Sequence, residues 1–271
     1  MSLVSLSGKV ALVTGACRGM GRTTALLMAQ EGADLVLADI RPPEETAAEV
    51  RNVGRRALSL TCDITKAEQV NEAVARAVAE FERIDILANV AGVIFHVDML
   101  ETTERQWDTM FDVNIKGMFH TTQAVARQMV KQGTGGKIVN VSSMTAQAGV
   151  GVPAYSASKG AVDGFTRACA FELAKHRIQV NAVAPGHCDT PMNDGVNTPV
   201  LLSAMNHRIA MGRIAQPQDV AAAIVFLASG ACSYTTGEVL LVDGGNVTVG
   251  YLPTEYEAEL EKMGKAPLSG R

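Results

Sequence analysis

The sequence predicts an α/β fold: one doubly wound, seven-stranded parallel sheet flanked by helices. Two observations carry that expectation. Seven short runs rich in β-branched residues alternate with longer stretches of helical periodicity, and a glycine-rich turn joins the first run to the first helical stretch. A length of 271 residues is within the reach of a single α/β domain, so residues 1–271 are read as one domain. A content of 47% hydrophobic and 19% charged residues, with a mean hydropathy of +0.13, suits a compact enzyme with buried strands.

The first strand is read at Val10–Thr14, followed by a helix from Met20 to Glu31 that begins inside the glycine turn. The second, Asp34–Asp39, ends on a carboxylate. The third, Arg56–Leu60, leads into a helix at Lys66–Phe81, and the fourth, Ile84–Asn89, precedes a long helical stretch at Thr103–Gln132. The fifth, Lys137–Val141, runs into Ser142 and Ser143 ahead of a helix at Ala154–His176. The sixth, Gln179–Val183, and the seventh, Glu238–Val242, enclose a helix at Pro217–Ala228. The stretch Thr190–Gly212, rich in Asn, Pro and Met, breaks the alternation and is expected to form an irregular insert suited to a substrate lid. The extension Asn246–Arg271, with Pro253, a charged helix-like segment at 255–262 and Pro267, has no place in the sheet.

A net charge of -4 and a pI near 5.8 give no basic footprint for nucleic acid. The five cysteines, Cys17, Cys62, Cys169, Cys188 and Cys232, are scattered, odd in number and without a CxxC pair, so neither a disulfide framework nor a zinc site is indicated. No secretory pattern and no apolar run of membrane length occurs, and a cytoplasmic setting is expected.

After the first strand the glycines stand as Gly15, Gly19 and Gly21, a GxxxGxG spacing that opens a helix at Met20. Glycines let a pyrophosphate approach the backbone closely, and amides at a helix N-terminus face it. Asp39, at the end of the second strand, can accept hydrogen bonds from adenosine ribose hydroxyls and repel an added phosphate, which favours NAD over NADP. Arg18 in the turn and Arg41 past the strand weigh the other way, since either guanidinium can pair with a 2′-phosphate. After the third strand, Asp63 is placed to meet the adenine amino group and Ile64 its face; Asp63 is equally placed to cap the next helix.

Tyr155 and Lys159 stand four residues apart at the start of a helix, which puts phenol and ammonium on one face and into one cleft. A free tyrosine ionises near about pH 10, and a fixed neighbouring cation brings it toward the working range of a general acid or base. Ser142 and Ser143 follow the fifth strand, and Asn89, Val90, Ala91 and Gly92 close the fourth, both at the carboxyl edge where parallel sheets bind ligands.

Taken together, these motifs resemble the short-chain dehydrogenase/reductase family from Gly8 to about Gly245. The family's glycine motif matches Thr14 to Gly21, and its Asn-Asn-Ala-Gly motif matches Asn89 to Gly92, with Val90 replacing the second Asn. Its relay asparagine matches Asn114, its tyrosine and lysine match Tyr155 and Lys159, its Pro-Gly segment matches Pro185 and Gly186 with Thr190 and Pro191 following, and Asp243 to Gly245 also fit. The family's serine commonly stands thirteen residues before the tyrosine, which lands on Ser142, whereas the strand pattern favours Ser143.

The resemblance implies a Rossmann-type fold in which Tyr155 accepts the alcohol proton, Ser143 hydrogen-bonds the substrate oxygen and Lys159 holds the nicotinamide ribose while lowering the tyrosine pKa. It implies further that Asn114 positions a water leading protons to solvent, that Thr190 contacts the carboxamide, and that hydride passes between substrate carbon and nicotinamide. A homotetramer built through the two long helices, Thr103–Gln132 and Ala154–His176, is implied as well.

The function expected is therefore NAD-dependent interconversion of a small secondary alcohol and its ketone. Two other readings stand beside it. An NADPH-dependent reductase of 3-oxoacyl groups on a carrier is opposed by Asp39, and a catalytically idle nucleotide-binding scaffold by the intact Asn114, Ser143, Tyr155 and Lys159. His187 and Cys188 adjoin the nicotinamide region without a second ligand at metal spacing, so no metal is expected. His96 is read as a loop histidine, and Met192, Met205 and Met211 either wall a pocket or pack.

Overall fold

The computed structural model describes residues 4–149, 151–248 and 262. Its strands are β1 (Val10–Thr14), β2 (Asp34–Asp39), β3 (Ala57–Thr61), β4 (Ile86–Asn89), β5 (Gly136–Val141), β6 (Ile178–Pro185) and β7 (Val239–Val242). They form one sheet in the order β3-β2-β1-β4-β5-β6-β7, with every neighbouring pair parallel. The helices are α1 (Gly19–Gln30), α2 (Glu44–Asn52), α3 (Ala67–Phe81), α4 (Glu104–Phe111), α5 (Met118–Gln132), α6 (Pro153–Leu173), α7 (Pro199–Arg208) and α8 (Pro217–Ala228).

The alternation of side chains along each strand assigns them to two layers of helix. On β1, Ala11 and Val13 pack with Ala25 and Met28 of α1 and Ile224 of α8, whereas Val10 and Leu12 pack with Val70 and Val74 of α3 and Val125 of α5. Both faces are covered, which is why β1 is buried along its whole length and reads as an unbroken apolar run. The chain winds outward from β1 to β3, then returns to β4 on the other side, so a switch point falls between the carboxyl ends of β1 and β4. There Thr14 fastens the two ends together: its Oγ1 accepts from the amides of Val90 (3.0 Å) and Ala91 (3.1 Å).

Two expectations change. The stretch expected to be one helix from Thr103 to Gln132 is α4 and α5 joined by a π turn at Asp112–Gly117. The insert at 190–212 is not irregular throughout, because Thr198 accepts from the Leu201 amide at 3.2 Å and Pro199 follows at the first helical position, a combination that starts α7. The helix-like segment at 255–262, in the extension from Asn246 to Arg271, lies outside the described residues except for Lys262. Among the described residues no helix is long and apolar enough to cross a membrane.

Candidate active site

The carboxyl ends of β1, β2, β3 and β4 open on a cleft of about 460 Å³. Gly15, Arg18, Gly19, Met20 and Gly21 line it from the first turn, and Asp39 with Arg41 from the end of β2. A Cβ on Gly21 would lie 2.0 Å from the Gly15 carbonyl oxygen, so only glycine allows α1 to start this tightly against β1. The first turn of α1 holds no acidic residue, and its N-cap, Arg18, makes no side-chain capping bond. The N-terminal amides of α1 are thus left to an anionic ligand, and the turn fits a dinucleotide pyrophosphate.

Asp39 is held rather than loosely solvated: its carboxylate accepts from the Cys17 amide at 2.9 Å and the Arg41 amide at 3.4 Å. Burial, and then Asp39, push the neighbouring Cys17 thiol up to about 11. Asp63 also lines the cleft, and of the two roles open to it the helix cap is not taken. Its carboxylate closes a local turn instead, accepting from the amide (2.9 Å) and hydroxyl (2.8 Å) of Thr65. Ile64 completes that wall, its carbonyl 3.0 Å from a ring nitrogen of His120.

Ala91 and Gly92 line the cleft from the β4 end, and Thr190 from the segment after β6. Asn89 is buried behind them. Its amide donates to Thr122 (3.0 Å) and to Asn140 (2.9 Å), and its oxygen accepts from Thr121 (2.7 Å), so it braces β4 against β5 and α5. Pro185 and Gly186 lie off the cleft; the Gly186 amide donates to the Val242 carbonyl at 2.9 Å.

A second group of side chains adjoins this cleft through Gly92. A Cβ there would lie 3.2 Å from Asn114 Oδ1 and 3.5 Å from Lys159 Nζ. Asn114, fully buried in the π turn, donates to the Val93 carbonyl (2.9 Å) and the Ser158 hydroxyl (3.0 Å) and accepts from the Val93 amide (2.8 Å). Lys159 Nζ donates to the Val141 carbonyl at 2.8 Å and lies 5.6 Å from the centre of the Tyr155 ring.

The two adjacent serines diverge. Ser143 hydrogen-bonds the Tyr155 phenol and accepts from Thr145, whereas Ser142 donates to the Lys159 carbonyl at 3.2 Å and to the Asp163 carboxylate. Tyr155 and Lys159 depart from the sequence expectation in one respect. Burial pushes the phenol up to about 12, with the Ser143 hydrogen bond acting in the opposite direction, and the neighbouring cation does not bring it down. Lys159 is itself pushed down to about 8 by burial, which Asp163 partly offsets. In the free protein desolvation therefore outweighs the pairing that the spacing suggested.

Beyond Thr190 the cleft is lined by Pro191 and Met192, and a polar cluster lies outside that lining. His187 Nε2 lies 2.8 Å from Asn197 Oδ1, and His96, whose pKa is lowered by burial and by His187, hydrogen-bonds Asn193. Cys188 is buried, its thiol pushed up to about 12 by burial and then by Asp189. No group of three metal-type ligands occurs among the described residues. Sequence reasoning missed Asp163 and Gln147, although Asp163 follows Lys159 by one helical turn.

A family profile described as enoyl-(acyl carrier protein) reductase matches residues 15–246. The 2-dehydro-3-deoxy-D-gluconate 5-dehydrogenase of Escherichia coli K12 is 47% identical, over 90% of this chain and 98% of the relative. A solved 7α-hydroxysteroid dehydrogenase, complexed with NADH and 7-oxo glycochenodeoxycholic acid, is 33% identical with a TM-score of 0.87, covering 91% of this chain and 97% of the other. A structure from Agrobacterium tumefaciens with bound NADP is 37% identical with a TM-score of 0.85, covering 92% of this chain and 100% of the other.

Proposed function

The chain belongs to the short-chain dehydrogenase/reductase family, and from that premise we propose that it interconverts a secondary alcohol and its ketone with NAD as the preferred cofactor. The observation that carries this reading is the contact of Ser143 with the Tyr155 phenol, one step from Lys159 and joined to the glycine-lined cleft through Gly92. When bound, the nicotinamide supplies hydride transfer at the substrate carbon.

The protein's residues do the rest. Ser143 donates a hydrogen bond to the substrate oxygen, and Tyr155 moves the proton at that same oxygen, as acid in reduction and base in oxidation. Lys159, by this reading, stabilises with its ammonium the tyrosinate left after reduction and holds the ribose. Asn114, locked to Val93 and Ser158, fixes the backbone at the cleft edge and starts the proton path outward. Gly15 to Gly21 and Thr190 bind the remainder of the cofactor, and Asp63 and Ile64 face its adenine. The whole chain serves as one catalytic domain, with 190–212 over the substrate and a cytoplasmic setting. The name of the Escherichia coli relative and the polar cluster of His96, His187, Asn193 and Asn197 support a hydroxylated sugar acid as substrate.

The test is turnover. Purified protein is assayed with NAD and NADP against a panel of sugar acids, secondary alcohols and ketones, beside Tyr155→Phe. Loss of about 10²-fold or more in kcat in the variant is expected, and an unaltered rate would sink the mechanism. The reading as an NADPH-dependent 3-oxoacyl reductase draws on the description of the family profile and on Arg18 and Arg41 at the cleft. Tighter binding of NADPH than of NADH, read by fluorescence titration, would favour it. Cofactor binding without turnover of any substrate would favour the scaffold. Assembly as a homotetramer through α4, α5 and α6 belongs to this proposal, supported by the exposure of Trp107, Phe119 and Phe171 on those helices.

A further inference from the structure

Ser142 and Asp163 form a buried pair directly behind the proposed catalytic residues. Ser142 is 1% and Asp163 6% exposed, and the serine hydroxyl is shared between the Asp163 carboxylate and the Lys159 carbonyl. A carboxylate is rarely enclosed in this way unless something is gained from its charge. Burial raises its carboxyl above the ordinary carboxylate value, and its neighbours offset only part of that: besides Ser142, the side chain of Gln147 hydrogen-bonds it, and Arg167 and Lys159 attract it. These groups come from three places, the end of β5, the loop leading to α6, and α6 itself. Two of these places, the end of β5 and α6, also supply Ser143 and Tyr155.

The charge of Lys159 depends on what surrounds its ammonium. The Val141 carbonyl and Asn114 are neutral, Tyr155 is protonated in the free protein, and Asp163 is the carboxylate that supports the cation. We propose that Asp163, oriented by Ser142 and Gln147, is a positioning residue that keeps Lys159 cationic and in place while Tyr155 transfers its proton. This rests on the role given above to Tyr155 and Lys159. In the reductive direction Tyr155 gives its proton to the substrate oxygen and is left anionic. An uncharged Lys159 would then leave that anion unsupported in a desolvated site.

The test separates charge from structure. In Asp163→Asn the side-chain oxygen can still accept from Ser142 while the charge is lost; Asp163→Glu keeps the charge. The Lys159 Cε resonance of ¹³C-lysine-labelled protein, assigned with Lys159→Arg, is titrated without any substrate. In parallel kcat for ketone reduction is followed against pH. Asp163→Asn is expected to move the Lys159 midpoint, and with it the alkaline fall of kcat, to lower pH by about one unit or more, a roughly tenfold change in proton affinity. Asp163→Glu is expected to restore most of that shift.

An unmoved Lys159 midpoint in Asp163→Asn, or a loss of kcat equal at every pH, overturns the inference. If Asp163→Asn does not fold, Ser142→Ala is read in the same way. It should move the midpoint in the same direction by less, and no movement overturns the proposal. Absence of turnover by the wild type would remove the functional reading, whereas the resonance titration still judges the link from Asp163 to Lys159.

Discussion

In the proposed preference for NAD, Asp39 acts through one fixed charge. Because two backbone amides hold the carboxylate at the end of β2, it cannot swing aside for a 2′-phosphate without losing both bonds. Asp39→Ala, with Arg18 and Arg41 retained, is expected to shift the NADPH-to-NADH ratio of kcat/KM by about tenfold or more toward NADPH, equivalent to about 1.4 kcal/mol. Steady-state kinetics with both cofactors check this, and an unchanged ratio would remove Asp39 from the discrimination. In the proposed mechanism Tyr155 and Lys159 set the pH behaviour. With the phenol raised to about 12 and Lys159 lowered to about 8, the free protein is poised as an acid at neutral pH. Reduction should therefore be fastest below the Lys159 titration and fall above it, and the oxidation optimum, which needs the phenolate, should lie at higher pH. Initial rates in both directions decide it; a reversed order of optima contradicts the assignment. At this scale the sequence disclosed part of what gathers: Gly15, Gly19, Gly21, Asp39, Ala91, Gly92 and Thr190 line one cleft, whereas Pro185 and Gly186 do not. It did not disclose which way they turn. Asn89 faces inward, and Ser142 and Ser143 point to different partners, because rotamer and packing have no signature in spacing alone.

Among the elements, the π turn at Asp112–Gly117 is the one the sequence hid. Helical periodicity runs across it without a break, and a change of hydrogen-bond partner from i+4 to i+5 leaves no mark in residue type. Yet this turn puts Asn114 against Val93 and Ser158 and brings Gly117 onto Ile64. A Cβ at Gly117 would lie 2.7 Å from Ile64 Cγ1, on the wall assigned to adenine. Gly117→Ala is thus expected to cost about 1–3 kcal/mol, to lower Tm by several degrees in thermal unfolding, and to weaken cofactor binding. A variant as stable as the wild type would show that Ile64 yields freely. By contrast α6 was readable almost to its ends, its start set by Pro153, and α7 was obscured by the Asn- and Pro-rich composition around it.

At the scale of the whole molecule, the sheet was legible because its central strands, β1 and β4 above all, are apolar on both faces, as parallel strands between two helix layers are. Association is harder to read, since an exposed apolar side chain looks in the sequence like a core one. Phe171 is 87% exposed although it lies on α6, whose other face packs on the sheet. If assembly uses this surface, Phe171→Glu should yield smaller species in analytical ultracentrifugation than the wild type, and identical sedimentation would place the contact elsewhere. The π turn bears on this surface too. An α-helix advances by about 100° per residue, so a turn wider by one residue resets the angular phase of everything on one side of it relative to the other. Trp107 and Phe111, stacked at 4.7 Å on α4, lie on one side and Phe119 on the other. Deleting a single residue between 112 and 117 would rotate the outer aromatic patch by nearly a third of a revolution about the helix axis. The relative bearing of surface and active centre is thus set by a count of residues, and evolution can change it only in whole steps.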